Sequence, residues 1–192
     1  GEEILIGSNE EFVTIVNISD KDNPVNLSTI PYGQVGYTHQ GWFTEDQRYF
    51  IMGDELDERD FGFPTRTLVF DFQNLTEPEL ELSYEGPTDA IDHNGYVLDN
   101  KFYLANYTAG LRVLEIFRSG SGDSEQFAML EVGSFDSRPE SNAANFDGAW
   151  NVYPYFESGN ILISDINRGF LLVSPTETLS TPEFSEEDIS LS

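Results

Sequence analysis

Two histidines are the only imidazoles in this chain, and each is followed by an amide and a glycine: His39-Gln40-Gly41 and His93-Asn94-Gly95. A neutral imidazole can ligate a transition metal or move a proton near neutral pH. Asp147-Gly148 reads as the same position in a later segment, and Asp54, Asn106 and Asp165 close three β-rich runs. Imidazoles, amides and carboxylates that converge can hold a small polar ligand or a cation. The same groups can instead hydrogen-bond to one another and keep adjacent segments in register. The His-Gln and His-Asn pairs lack the close spacing of H-E-x-x-H. A zinc centre would need the fold itself to bring both imidazoles and a carboxylate together.

A second constellation is acidic. Asp54, Glu55, Asp57, Glu58 and Asp60 crowd one loop, with Arg59 and Arg66 beside them. Calcium takes oxygen ligands from such loops, so Asp54, Glu55 and Asp57 are the calcium candidates. The loop lacks the D-x-D-x-D-G spacing of an EF-hand. A solvated acidic loop, partly neutralised by its arginines, is the plain alternative.

Other chemistry is hard to assemble. The chain has no cysteine, which removes disulfides, thiolate metal sites and a cysteine nucleophile. No G-x-S-x-G elbow occurs. Paired carboxylates are too abundant for any one pair to indicate glycoside hydrolysis. Ser119 to Asp123, S-G-S-G-D, has no lysine and no helical pattern after it, so it reads as a turn rather than a phosphate loop.

The elements that must position these residues are strands. Three segments repeat one design: T-H-Q-G-W-F-T-E-D-Q-R-Y-F-I-M-G-D from Thr38, D-H-N-G-Y-V-L-D-N-K-F-Y-L-A-N from Asp92, and F-D-G-A-W-N-V-Y-P-Y-F-E-S-G-N-I-L-I-S-D from Phe146. Each has polar residues and a glycine, an aromatic, a polar turn, and a β-rich run ending in Asp or Asn. Repeats about 40–50 residues apart mark a β-propeller. Strands are expected at Ile4–Asn9, Phe12–Ile18 and Val25–Ile30, then at His39–Glu45, Tyr49–Gly53, Thr67–Phe72 and Glu79–Tyr84. A third unit covers Asn94–Leu98, Phe102–Asn106, Leu111–Phe117 and Phe127–Phe135, with a turn at Ser119–Gly122. A fourth covers Ala149–Tyr153, Asn160–Asp165 and Gly169–Val173. The expected fold is therefore all-β, a propeller or part of one with four-stranded antiparallel blades. Residues 1–175 supply about three and a half to four of them, read as part of a larger ring. Residues 176–192 form an acidic, Ser/Thr-rich tail. Trp42, Tyr96 and Trp150 read as equivalent aromatics that pack between blades, with sugar stacking as the alternative.

Thirty-five acidic residues against nine basic ones give a net charge of -26. Phosphate is repelled, so nucleic acid is excluded as an expected partner, and so is an anionic membrane surface. No apolar run approaches the roughly 18 residues of a membrane helix. N-x-S/T sequons stand at Asn17, Asn26, Asn74 and Asn106.

Several stretches together resemble the LVIVD-repeat proteins of the choice-of-anchor B family. They are F-V-T-I-V-N-I-S-D-K-D-N-P-V, Y-T-H-Q-G-W-F-T-E-D-Q-R-Y-F-I-M-G-D-E-L-D-E, R-T-L-V-F-D, A-I-D-H-N, A-N-Y-T-A-G-L-R-V-L-E-I and N-F-D-G-A-W-N-V-Y-P-Y-F-E-S-G-N-I-L-I-S-D-I. The resemblance implies a secreted or cell-surface propeller held by a variable anchor. It brings no catalytic residues. The expected function is a non-enzymatic binding module, with a cation such as calcium or a small polar ligand at the channel mouth. The ligand candidates there are His39, Gln40, His93, Asn94, Asn106, Asp147 and Asp165. The expected partner is other protein, the rest of a ring or another subunit. The rival readings are a hydrolase or lyase using those histidines and carboxylates, and a structural subunit of an extracellular assembly.

Overall fold

Alternation of apolar and polar residues, broken by polar turns, produces four antiparallel sheets that follow one another along the chain. The structure is a computed structural model that describes residues 1–121 and 125–176. Sheet 1 holds β1 (Ile4–Ser8), β2 (Val13–Asn17) and β3 (Val25–Ile30). Sheet 2 holds β4 (Thr38–Phe43), β5 (Tyr49–Asp54), β6 (Arg66–Asp71) and β7 (Glu79–Glu85). Sheet 3 holds β8 (Gly95–Leu98), β9 (Lys101–Ala105), β10 (Leu111–Ser119) and β11 (Gln126–Phe135). Sheet 4 holds β12 (Ala149–Tyr153), β13 (Ile161–Asp165) and β14 (Gly169–Val173). Three expected strands, Val25–Ile30, Ala149–Tyr153 and Gly169–Val173, coincide residue for residue, and the others differ only at their ends. The expected tail lies outside the described residues from 177 onward, and Gly122 to Asp123 of the expected turn lie outside them too.

The acidic connection after β5 contains more order than a loop. It folds into one helical turn, α1 (Asp57–Phe61). Gly62 ends it at φ 76°, where its N–H reaches the Glu58 carbonyl at 3.0 Å. Glycine accepts that left-handed conformation without steric cost. Among the described residues, no helix is long and apolar enough to cross a membrane.

Side chains alternate across each strand, so a sheet between two others must be apolar on both faces. Strand β5 meets this demand, being buried along its whole length. Its Phe50 and Met52 join Val13, Ile15 and Ile30 of sheet 1 in one core. Its Tyr49 and Ile51 join Val97, Phe102 and Leu104 of sheet 3 in a second. A third core sets Ala105, Leu111 and Val113 of sheet 3 against Val152, Ile161 and Ile163 of sheet 4. Each such side chain contributes about 1.5–3 kcal/mol through burial. Strand β4 lies against β1 and β8, β8 lies against β12, and β7 lies against β11. The outward faces of the end sheets stay open: Phe170 is 67% exposed, Leu172, Leu5 and Val25 are also exposed.

The glycine after each His-amide pair has a packing role. A Cβ on Gly41 would stand 2.1 Å from Cζ of Phe50, and one on Gly95 would stand 2.1 Å from Cζ of Phe102. Each second-strand phenyl ring lies over a first-strand glycine. Gly41→Ala must displace a buried ring, and overpacking of this kind costs about 1–3 kcal/mol. A drop in melting temperature of about 2–12 °C is expected by thermal denaturation. Adding Phe50→Leu should recover part of it. An unchanged melting temperature in Gly41→Ala would contradict the packing.

Candidate functional site

The first strands of sheets 2, 3 and 4, which are β4, β8 and β12, lie side by side and bring the residues at their starts together. Thr38 pairs with Asp54 and Gln40 with Gly53, so His39 is the extra residue of a β-bulge. In sheet 4, Ala149 pairs with Asp165 and Asn151 with Ser164, so Trp150 is the extra residue of a matching bulge. Bulges re-aim a side chain out of the strand alternation. His93 stands just before β8, with its N–H on the Ala105 carbonyl at 3.0 Å.

These three rings form a row across three sheets. The imidazoles of His39 and His93 stack at 4.6 Å between centroids, 14° from parallel. Trp150 meets the other side of His93, also at 4.6 Å. The register corrects the expected equivalence. Trp150, not Asp147, holds the place in sheet 4 that His39 holds in sheet 2, and Tyr153 corresponds to Trp42. Asp147 instead lies outside the row, ion-paired with Arg138 and accepting from Asn167 Nδ2 at 3.3 Å.

Glu55 enters this row from the end of β5. Its N–H holds the Tyr37 carbonyl at 2.9 Å. One carboxylate oxygen lies 3.6 Å from His39 Nδ1 and the other 3.3 Å from His93 Nε2. The Tyr107 hydroxyl donates to the second oxygen at 2.6 Å. Burial above all, then the bond and charge of Glu55, raise the Tyr107 pKa, so the phenol stays a donor.

The His93 tautomer follows from its neighbours. Nδ1 lies 2.6 Å from the Trp150 carbonyl oxygen. The Asn94 amide nitrogen also lies 2.9 Å from Nδ1, but it has the Trp150 carbonyl as its own acceptor. At the shorter contact a lone pair on Nδ1 would face another lone pair, so Nδ1 is assigned the proton and Nε2 is the bare nitrogen. That Nε2 is buried and has no hydrogen-bond partner. Burial lowers the His93 pKa, the largest influence, with His39 adding to it against the opposing pull of Trp150 and Glu55. Neutral imidazole is the favoured form. His39, Glu55 and His93 each offer a ligand atom, and these atoms lie within 4.8 Å of one another.

The other candidates serve the scaffold. Gln40 clamps β8, its Nε2 donating to the Gly95 carbonyl at 3.1 Å and its Oε1 accepting from the Gly95 N–H at 2.9 Å. Asn94 donates to the Trp150 carbonyl at 2.9 Å, tying sheet 3 to sheet 4. Asn106 is buried and donates to the carbonyls of Ala90 and Ile91. Asp165 accepts from Ser137 Oγ and from the N–H groups of Asn167 and Arg168. All four hold connections between strands and sheets, the register role open to them from the start. The expected packing of Trp42 with Tyr96 across sheets is present, with centroids 4.9 Å apart.

Asp54, Glu55 and Asp57 do not share a centre. Asp54 accepts from Tyr32 Oη and from the N–H groups of Gly36, Tyr37 and Leu56. Glu55 turns to the imidazoles. Helix α1 turns Asp57 inward, where it pairs with buried Arg66. Beside that pair lie two more buried carboxyls, Glu58 and Asp92. Glu58 Oε1 accepts from the N–H groups of Arg66 at 2.9 Å and Asp92 at 3.2 Å. Burial first, then neighbouring Asp57, pushes the Glu58 pKa up to about 9. Burial also raises Asp57 to about 6 and moves Asp92 well above the usual carboxylate range.

Sequence reasoning saw both histidines and Glu55, but it assigned Glu55 to different partners and passed over Tyr107. A signal for Tyr107 existed. Glu55 and Tyr107 occupy the same place, directly after the Asp54 and Asn106 that close the second strands of their sheets. No protein-family model matches the chain, and no curated protein matches it.

Proposed function

We propose that the chain is a secreted or cell-surface β-propeller, or part of one, that acts as a non-enzymatic binding module. The observation that carries the reading is the row His39, His93, Trp150, in which three successive inner strands present one residue each at the same end. A propeller gathers its first strands around a channel in this way, and polar groups at their starts converge. The resemblance to LVIVD-repeat proteins of the choice-of-anchor B type supports the same fold and the extracellular setting.

Two surfaces suit binding. One is the end of the first strands, where half-exposed Trp150 borders the His93 imidazole. The other is the pair of open end faces, with Phe170 and Leu172 on sheet 4 and Leu5 and Val25 on sheet 1. Those faces suit more protein, either further blades of a ring or another subunit. The net charge of -26 disfavours nucleic acid and favours cationic ligands.

Intrinsic fluorescence tests the reading, because Trp150, one of only two tryptophans, packs against His93. Titration with neutral sugars, organic cations and short basic peptides should give a saturable change in emission with at least one class, without turnover. Hydrolysis of an ester or glycoside substrate that His93→Ala abolishes would overturn it in favour of a hydrolase. Emission unchanged across all three classes would remove the small ligand from the reading.

A further inference from the structure

The His93 imidazole presents an unusual combination. Its side chain is 1% exposed, its Nδ1–H lies against the Trp150 carbonyl, and its Nε2 lies 3.3 Å from the Glu55 carboxylate without the alignment of a hydrogen bond. Two acceptors this close in a buried site repel unless something positive lies near both. Tyr107, whose ring packs 4.6 Å from that of His93, already donates to that carboxylate oxygen, but its hydroxyl does not reach Nε2 as a partner. Among the described residues, the bare nitrogen of His93 has no hydrogen-bond partner.

We propose that His39 Nδ1, His93 Nε2 and the Glu55 carboxylate form a site for a divalent transition cation, with zinc as its representative and one coordination position left open. Two imidazoles and a carboxylate are a zinc donor set of the kind that keeps a fourth position for water or a ligand. Donors about 2.0–2.2 Å from a tetrahedral zinc lie roughly 3.3–3.6 Å from one another. The two imidazole–carboxylate separations, 3.3 and 3.6 Å, run to the two different oxygens of Glu55, and one ligand atom from each residue lies within 4.8 Å of the others, so a modest closure brings the three onto one ion. His39 is the more exposed member, at 29% against 1% for His93, so it has room to turn toward the ion and close the remaining edge. Calcium is disfavoured because it prefers oxygen ligands throughout.

The surroundings match a metal site beyond the three donors. A ligating histidine ordinarily donates its other ring N–H to a carbonyl or carboxylate, which fixes the tautomer. The Trp150 carbonyl does this for His93, and the Tyr107 hydroxyl orients Glu55. The next gap along the row serves as an internal comparison. There Tyr107 takes the place of Glu55 and Trp150 the place of a histidine, so the equivalent position has aromatic rings in place of a donor set. The proposal deepens the binding reading by naming a cation in the same row, and it rests on that reading for its biological role alone.

The test uses the full chain, stripped with a chelator and then exchanged into buffer with millimolar calcium to occupy weak surface carboxylates. Zinc chloride is titrated calorimetrically, and cobalt chloride is followed by its visible absorption. One zinc per chain is expected, with the intense visible bands of tetrahedral cobalt. His39→Ala, at a part-exposed bulge, should weaken zinc by more than about 100-fold, since losing even an outer partner costs about 10–100-fold. Glu55→Gln, which keeps an acceptor for Tyr107, should weaken it by at least about 10-fold. Asp60→Asn, an exposed acid paired with Arg59, should leave zinc affinity unchanged. Circular dichroism checks that each variant keeps its strands. The proposal is overturned if zinc and cobalt fail to saturate, or if His39→Ala and Glu55→Gln bind zinc as the wild type does. Failure of zinc alongside a saturating tryptophan response to an organic ligand would sink the metal site and spare the binding reading.

Discussion

Arg66→Ala should destabilise the protein by about 3–5 kcal/mol, the cost of leaving a buried charge without its partner. The guanidinium is 7% exposed and pairs with Asp57, which is fully buried. It also reaches the Gln34 carbonyl at 3.0 Å and lies 4.4 Å over the Phe63 ring. Its guanidinium pairs with Asp57, and the buried carboxyls Glu58 and Asp92 lie beside that pair. Removing it leaves Asp57 either charged without compensation or protonated at a cost. For a chain of this size the melting temperature should fall by about 6–20 °C. The size of the loss should come from the orphaned carboxylate rather than from the ion pair itself. Arg66→Met combined with Asp57→Leu should therefore be more stable than Arg66→Ala alone, because both charges are gone. Thermal and urea denaturation check both variants. A loss under about 1 kcal/mol for Arg66→Ala, a range typical of exposed pairs, would mean that the cluster is solvated.

The same cluster sets the second prediction, a melting temperature that falls as pH rises. Asp57, Glu58 and Asp92 all have folded pKa values above their unfolded ones, with burial as the leading cause for each. A raised carboxyl pKa means that the folded state holds protons the unfolded state has released. Its stabilising contribution is complete below the unfolded pKa of about 4 and is lost as pH climbs through the folded value. Losses should thus accumulate from about pH 4, through about 6 for Asp57, and up to about 9 for Glu58. The facing groups are Asp54, whose charge raises Asp57 and Asp92, and Arg66, which lowers Asp57. Asp46, Asp71 and Asp147 behave in the opposite sense, having lowered pKa values, and their contributions fade only in stronger acid. Burial lowers the His93 pKa, so its contribution is present above the unfolded value of about 6.5 and is lost as pH falls below it, which opposes the carboxyls on the acid side. The melting temperature should therefore decline by several degrees between about pH 7 and pH 9.5, where His93 no longer titrates. High constant ionic strength keeps general self-repulsion from imitating the effect. Glu58→Gln keeps an acceptor for the Arg66 and Asp92 N–H groups and cannot ionise, so it should flatten the alkaline decline. A wild-type curve that is level or rising between about pH 7 and pH 9.5 would contradict the buried, protonated Glu58.

Strands were readable from the sequence because their signal is local. Phe50-Ile51-Met52 and Leu68-Val69-Phe70 are short β-rich runs between polar turns, and the sheets place them where the runs lie. The bulges were not readable. One extra residue in β12 shifts the face of everything before it, and nothing in F-D-G-A-W-N marks where the shift falls. Asp147-Gly148 was matched to His39-Gln40 by a shared pattern of a polar residue near a glycine, whereas the pairing of Ala149 with Asp165 puts Trp150 there. Glycine was also ambiguous. Gly41 and Gly95 read as part of a polar strand start, yet each makes room for a phenylalanine from the neighbouring strand. The acidic loop was visible, but not the way its side chains divide. After a strand ends, no period dictates direction, so Asp54, Glu55 and Asp57 could not be separated before the helical turn that buries Asp57 was known.

The most direct test of the account is a crystal structure of the full chain grown with zinc, with anomalous data collected on both sides of the zinc absorption edge. The expected result is an anomalous peak bounded by His39 Nδ1, His93 Nε2 and the Glu55 carboxylate, with the Trp150 ring tilted against His93 and its carbonyl on Nδ1. Peaks confined to surface carboxylates, or inner strands that hold the two imidazoles apart, would contradict it.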